Sequence, residues 1–488
     1  YMVGEQDEKK AWHVASSALN LAVAIMMALA GLAIIFAPLI VPLYNPGLNP
    51  HIPSEKSELD LIISLSRIMF LQSIILGAGV IVTSILNAKQ DFLRPAIGTV
   101  LYNVGLIAGL LPGIFIVADR SAAHESTAVF LATWGVVIGA LLQVGVQVPS
   151  LFQVGMRYKF TFDYKHPGVI QIGHQMVPRV INAAMLYFST FVDRGLILLM
   201  VAGLPLLASN GYITQYYQAF QLVLLPLGIF GMAISTAAFP TLAENVTRGR
   251  MDRVSSIIQD TLRTILFMSI PSSVGLIVLG LPIIQVLLQH GAYSLASAQG
   301  TAIPLAFFAF GLAGLASVEI LTRSFYAMRD SKTPVLISIA QFIFKIALSI
   351  IFIQIAVNWG IAWGLGALAL ATSIAGLLEA FVLLWLLHQR VGGLGLHALR
   401  IFVIRVLLAS LAMGVAIFFV RLFLDLILST YHDRLGLGDT LLAFIKLLLE
   451  LATGVFVYIR ATRLLGIEDF WKQGPVKRVL ERLRLSWI

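Results

Sequence analysis

The sequence predicts an all-α polytopic membrane protein, with two pseudo-symmetric helical lobes around a central cavity and a C-terminal helix pair. Three observations carry the prediction. The 488-residue chain is 59% hydrophobic and only 12% charged, whereas a soluble domain averages about 25% charged residues. Its apolar residues come in uninterrupted runs, and a bilayer core needs about 20 of them per helix. Its loop cations fall almost entirely on alternate loops, as topology signals do.

Twelve runs qualify, at 14–44, 60–87, 94–118, 127–152, 172–202, 211–242, 254–288, 299–327, 333–358, 360–388, 400–424 and 438–464. The first reads LAVAIMMALAGLAIIFAPLIVPL at its centre, without a charge. None alternates apolar and polar residues, so these are helices and not barrel strands. With the N-terminus inside, the loops on that side carry Lys89, Arg94, Arg157, Lys159, Arg248, Arg250, Arg329, Lys332 and others. The tail beyond 460 adds more cations, while the outside loops carry only Lys56, Arg120 and Arg434. The net charge of +9 therefore sets topology and favours anionic headgroups. It does not indicate nucleic acid as a partner.

The chain repeats itself. Pro38 and Gly47 match Pro282 and Gly291 at the same spacing, and Ala88, Asp91 and Pro95 match Ala327, Asp330 and Pro334. Both copies of the second motif follow corresponding spans on one membrane side, so the repeats are parallel. In the second copy that span is the fourth from residue 172, and in the first it is the second from Tyr1. Two further spans are thus expected before Tyr1, giving fourteen in the intact chain. The expected divisions are an N-terminal lobe over 1–152, a basic, partly aromatic interfacial linker over 153–171, a C-terminal lobe over 172–390, and a helix pair with a basic tail over 391–488.

Several chemistries are excluded or unsupported. There is no cysteine, which removes disulfides and thiolate chemistry. The nine histidines are scattered and form no metal-binding spacing, and no Gly-rich phosphate loop is present. No catalytic residue, metal or cofactor is expected, and any driving force is an ion gradient or the membrane potential.

Particular segments resemble a known family. LLPLGIFGMAISTAAFPTLAE (224–244), LTRSFYAMRDSKTPV (321–335), ILNAKQDFLRPA (85–96), RIMF (67–70) and MVPRV (176–180) are similar to the MurJ (MviN) family. Its members are lipid II flippases of bacterial peptidoglycan synthesis, within the multidrug/oligosaccharidyl-lipid/polysaccharide exporter superfamily. The resemblance implies a fourteen-helix transporter of the bacterial cytoplasmic membrane, and the cation distribution predicts both ends of this chain to be cytoplasmic. It implies a lipid-linked oligosaccharide of the undecaprenyl-pyrophosphate type as substrate, membrane lipids as partners, and contact with the cell-wall synthesis machinery. Two departures stand out. The family's cavity arginine before PLGIFG is Gln221 here, in AFQLVLLP. The family's first two helices, with their arginines, have no match in this sequence.

Charges inside spans are costly, about 3 kcal/mol or more, and usually face a cavity or a partner. A pyrophosphate needs cations, and Arg suits phosphate forks. Arg179, Arg194, Gln221 and Arg263 are accordingly the substrate and cavity candidates. By the resemblance, Asp193 falls on a family acidic position associated with a sodium site, to which Thr372, Gln341 and Lys345 also map. Lys345 stands where the family more often has Asn or Asp. It reads either as a tethered cation replacing sodium, as a structural ion pair, or as a snorkelling side chain. Glu319 and Arg323, four apart on one helix, form a latch set with Arg329 and Asp330. Lys446 and Glu450 have the same spacing and read as a structural pair. Pro226, Gly228, Gly231, Gly275, Gly311 and Gly314 are either bending points or close-packing sites.

The competing readings are a flippase for another lipid-linked glycan, a drug or ion antiporter of the same superfamily, and a degenerate, non-transporting scaffold. Drug exporters favour acidic, aromatic cavities, and the net cationic character of these spans suits an anionic lipid better.

Overall fold

The computed structural model describes residues 8–45, 53–89, 91–116, 122–156, 158–201, 206–291, 293–428 and 437–467. Every regular element among them is helical. In chain order these are α1 (Glu8–Tyr44), α2 (Pro53–Ala88), α3 (Leu93–Ile116), α4 (Ala122–Gly145), a short α5 (Val148–Gln153), α6 (Pro167–Met200) and α7 (Leu206–Pro226). Then come α8 (Ile234–Thr247), α9 (Met251–Leu288), α10 (Leu295–Ala327), α11 (Lys332–Ala356), α12 (Ile361–Arg390), α13 (Leu396–Ile427) and α14 (Leu437–Leu464). A π-helical stretch, Leu227–Ala233, joins α7 to α8.

Eleven helices among the described residues are long and apolar enough to cross a membrane. The expected span at 172–202 is present as the 34-residue α6, whose apolar run is interrupted by Asp193 and Arg194. The outer faces of the helices are apolar too: Ile35, Leu39 and Leu43 on α1 are 68%, 66% and 71% exposed. In water such faces would drive aggregation, whereas acyl chains solvate them and the helices satisfy their own backbone groups.

The chain divides into two compact units, Tyr1–Arg179 and Val180–Ile488. In the first, α1 packs on α2, and α2 and α3 both pack on α4. In the second, α9 packs on α10, and α10 and α11 both pack on α12. The pairing pattern repeats in the order that the matched motifs give. Pro38 lies near the end of α1 as Pro282 does near the end of α9; Gly47 is outside the described residues. The loops of the second motif also match in backbone form. Asp91 N–H donates to Leu86 O at 2.9 Å, and Asp330 N–H to Phe325 O at 3.0 Å. In the second loop Arg329 takes a left-handed φ of 61° and its N–H bonds Tyr326 O, which completes a Schellman turn.

The linker that follows α5 has no regular secondary structure over 158–163 and is strapped to α1. Asn20 Nδ2 donates to Thr161 O, the Tyr158 hydroxyl donates to Asn20 Oδ1, and Lys159 N–H donates to Ser16 Oγ. His13 Nε2 lies 3.2 Å from Asp163 Oδ2, and this hydrogen bond holds the Asp163 carboxyl below the usual carboxylate range. Phe160 and Tyr164 remain exposed.

The second unit has a continuous core of α7, α9, α10 and α12 side chains, including Ile265, Leu305, Phe308, Leu312, Ile320 and Leu368. Small residues bring the helices together. A Cβ on Gly311 would stand 2.5 Å from the Ser373 Cα, and one on Gly314 2.9 Å from the Leu377 Cα. Gly231, within the π-helical stretch, faces the Ala316 backbone at 3.1 Å. These three glycines are close-packing sites, while Gly228 and Gly275 have open space where a side chain would be. The C-terminal pair α13–α14 packs on α9 and belongs to the second unit. The Tyr458 hydroxyl donates to Phe267 O at 2.7 Å across that junction.

Candidate functional site

One cluster of buried charge in the second unit lies where α6, α7, α11 and α12 meet. Asp193 sits on α6 one turn after Ser189, and positions four apart share a helix face. Lys345, midway along α11, reaches across to this face. Its Nζ donates to Asp193 Oδ2 at 2.8 Å and also to the Ser189 hydroxyl. The two charged side chains are 5% and 7% exposed. From α7 the Tyr216 hydroxyl donates to the same Asp193 Oδ2 at 3.0 Å, and the Thr372 side chain of α12 lies against that hydroxyl. Tyr217 pins the arrangement by donating to Thr190 O at 2.9 Å. Asp193 Oδ1 has no hydrogen-bond partner, so the ammonium and the Tyr216 hydroxyl are the partners of this carboxylate.

These residues do not fit a bound sodium ion. The Lys345 ammonium already holds the one carboxylate, and a second cation there would meet like-charge repulsion in a medium that screens it poorly. Among the described residues no group of three or more His, Asp or Glu side chains is placed to bind a metal. The arrangement supplies an internal ion pair whose separation would expose two uncompensated charges.

The other candidates disperse. Gln341 is half-buried one turn before Lys345 and makes no hydrogen bond to the pair among the described residues. Arg194, next to Asp193, is half-buried and points about 100° away around the helix. Gln221 is exposed on α7. The Arg263 guanidinium lies 6.0 Å from the Phe402 ring centroid, facing α13. The Arg179 side chain lies outside the described residues.

Glu319 and Arg323 pair at 2.5 Å within α10, so this contact spans one helix turn and joins no second helix. Asp330 does join elements. Its Oδ1 accepts the Lys332 and Thr333 N–H groups at 3.0 Å, capping α11, and its Oδ2 accepts from the Thr333 hydroxyl and from Arg390 at the end of α12. Partial burial pushes this carboxyl up, but the Thr333 and Arg390 bonds outweigh it and hold it below its ordinary value. Arg329 is exposed on the same loop. In the first unit Asp91 instead takes Arg94 at 2.6 Å, and Arg94 reaches Gln153 of α5.

Sequence reasoning passed over Glu379, a carboxylate buried in α12 whose Oε1 accepts from the Ser338 hydroxyl of α11 at 2.7 Å. A charge within the run LLEAFVLL was the available signal. Ser338, Gln341 and Lys345 lie at helical spacing and line one stripe of α11, opposite Glu379 and Thr372 of α12.

Long apolar helices in two repeated units, with ionised groups paired inside the second, define a polytopic helical membrane transporter. Solved structures agree in fold. A lipid II flippase MurJ in an inward closed conformation superposes with a TM-score of 0.65 at 24% identity, over 96% of this chain and 86% of that one. A multidrug resistance MATE family transporter of the MOP superfamily, inward-facing, gives 0.61 at 13% identity over 78% and 86%. The family model "Lipid II flippase MurJ" matches residues 2–435, and this chain belongs to that family. Among curated relatives, a probable lipid II flippase MurJ of Buchnera aphidicola is 28% identical over 417 residues, 85% of this chain and 76% of the relative. One of Bdellovibrio bacteriovorus is 25% identical over 428 residues, 88% and 75% respectively.

Proposed function

We propose that this protein carries lipid II, a lipid-linked pyrophosphate glycan, from the inner to the outer leaflet of the bacterial cytoplasmic membrane. The observation that carries the reading is the match to the flippase family along residues 2–435. Transport runs by alternating access, with the two repeated units as the moving parts. Both ends of the described chain face the cytoplasm, as the cation distribution over its loops supports. Arg179, Arg194 and Arg263 are the cations offered to the pyrophosphate, and the synthases that use lipid II on the outer face are the natural partners. Lys345 serves Asp193 as a tethered cation, so the second unit works without bound sodium.

The test is complementation. The full-length protein, expressed in cells depleted of their own flippase, should restore growth and the export of lipid II. Gln221 and Lys345 in place of the family's residues favour a second reading, a non-transporting scaffold. A well-expressed protein that reaches the membrane and restores neither growth nor export would replace the first reading with the second.

A further inference from the structure

A second set of buried charges lies in the C-terminal helix pair, away from the Asp193 cluster. α13 contributes Arg421 and Asp425, α14 contributes Lys446 and Glu450, and α9 contributes Gln285; together they line one cavity. Helical spacing pairs Lys446 with Glu450, four residues on. The structure pairs it otherwise. Lys446 Nζ donates to Asp425 Oδ1 on the neighbouring helix and to Leu428 O at 2.9 Å. Arg421 donates to Val278 O at 2.8 Å and keeps its Nε 3.7 Å from the other Asp425 oxygen. Asp425 thus gathers both cations.

Glu450 is left over. It is 1% exposed, and its Oε2 has no hydrogen-bond partner. Gln285, 6% exposed, likewise has an unpartnered Nε2. Arg421 and Lys446 in the same cavity offset the Glu450 charge in part, but no donor meets its Oε2, and a buried carboxylate oxygen left without a hydrogen bond inside a span is costly. Something must compensate it. A metal cation is a poor occupant, because Arg421 and Lys446 stand in the same walls. A proton removes the charge without needing coordination space. Pro282 and Ala443 complete the cavity walls beside the polar side chains, and the unpartnered Gln285 and Glu450 atoms offer a water its hydrogen bonds.

We propose that Glu450 is a reversible proton-binding site, reached through a water-holding cavity between α9, α13 and α14. Binding is the transfer of a proton from hydronium to Glu450 Oε2, leaving water; release is the reverse. Among the described residues the charged groups facing the site are Arg421 and Asp425 from α13 and Lys446 from α14, while α9 presents the uncharged Pro282 and Gln285. With Glu450 ionised the four groups sum to zero; with it protonated they carry one positive charge. Proton binding therefore changes the electrostatics by which the helix pair is held to α9. The cavity lies toward the end of α13 that leads to the loop before α14, so exchange takes place from the outer side. The inference rests on the membrane-span reading and not on which lipid is carried.

Infrared difference spectroscopy on the full-length protein in lipid nanodiscs tests it. A protonated-carboxyl C=O band should grow as the pH is lowered, shift in D2O, and be lost in Glu450→Gln. The band should persist in Glu379→Gln, which removes the other carboxylate buried without a cation of its own. Glu450→Asp should keep a titrating band at a shifted frequency, which separates loss of the proton from misfolding. No such band at any pH where the protein stays folded, or a band that survives Glu450→Gln, overturns the proposal. A band abolished by sodium at constant pH overturns it too, because the site would then take a metal cation.

Discussion

The helix pair α3–α4 in the first unit and its counterpart α11–α12 in the second occupy the same place in the repeat and are joined by different chemistry. On α3, Gly105, Gly109 and Gly113 recur every fourth residue and meet Gly139, Gly135 and Ala128 of α4. A Cβ built on Gly109 would stand 2.5 Å from the Gly135 Cα, so backbone lies directly on backbone. On α11 the same positions in the repeat are filled by larger side chains, and the contacts are polar: Ser338 bonds Glu379 of α12, and Lys345 turns to Asp193 of α6, close to Thr372 of α12. The first joint is dry and depends on shape. The second depends on charge, and charge is what an ion, a proton or an anionic substrate can alter.

The comparison is tested first at the charged joint, where the largest effect is expected. Lys345→Ala should destabilise the protein by about 3–5 kcal/mol, because it leaves Asp193 buried and unpaired. The double variant with Asp193→Ala should recover much of that loss. A double-mutant cycle on thermal stability in detergent reads the coupling; additive effects would mean that the pair does not matter. Lys345→Asn, which restores an oxygen ligand beside Asp193, should make stability respond to sodium where the parent protein does not.

The glycine joint should fail by a different route. Gly109→Leu forces the α3 and α4 backbones apart at a cost of about 1–3 kcal/mol or more, and the loss should be the same with or without salt. The matching change on the charged side, Ser338→Ala, removes one hydrogen bond to a carboxylate, worth about 1.5–3 kcal/mol. If Gly109→Leu proved salt-sensitive, the contrast between the two joints would collapse.

The smallest effect belongs to the loop clasps. Asp330→Asn weakens a helix cap, worth about 0.5–2 kcal/mol, and the bond to Arg390. Because the folded Asp330 carboxyl titrates below its ordinary value, its contribution is present above about pH 4 and is lost as the pH falls through that lower folded value. Hydrogen exchange at the start of α11, corrected for intrinsic rates, should therefore be flat from neutral pH down to about 5 and should rise only in stronger acid. A rise already near neutrality would mean that another group holds the loop.

Much of this was legible before any coordinates. Apolar runs fixed where the helices lie, because a span must satisfy its backbone internally whatever its neighbours do. The Asp–Pro motifs at 91–95 and 330–334 marked the repeat, because tight turns depend on a few local residues. Asp193 and Lys345 stand out as a pair only through the family resemblance, since they are far apart in sequence and no local spacing joins them.

What the sequence by itself determined is thus the helical membrane class, the repeat and the list of charges placed at cost inside spans. Which charge meets which was decided only by tertiary structure. Lys446 and Glu450 share a helix face, yet Lys446 turns to Asp425 on α13, because a flexible ammonium goes to the carboxylate whose position also offers it the Leu428 carbonyl. Glu379 finds Ser338 across the α11–α12 interface, and Asp193 finds Lys345 across that of α6 and α11. Spacing along one helix governs local geometry, but in a low-dielectric interior the nearest opposite charge in space governs the pairing, and that distance exists only once the helices have packed.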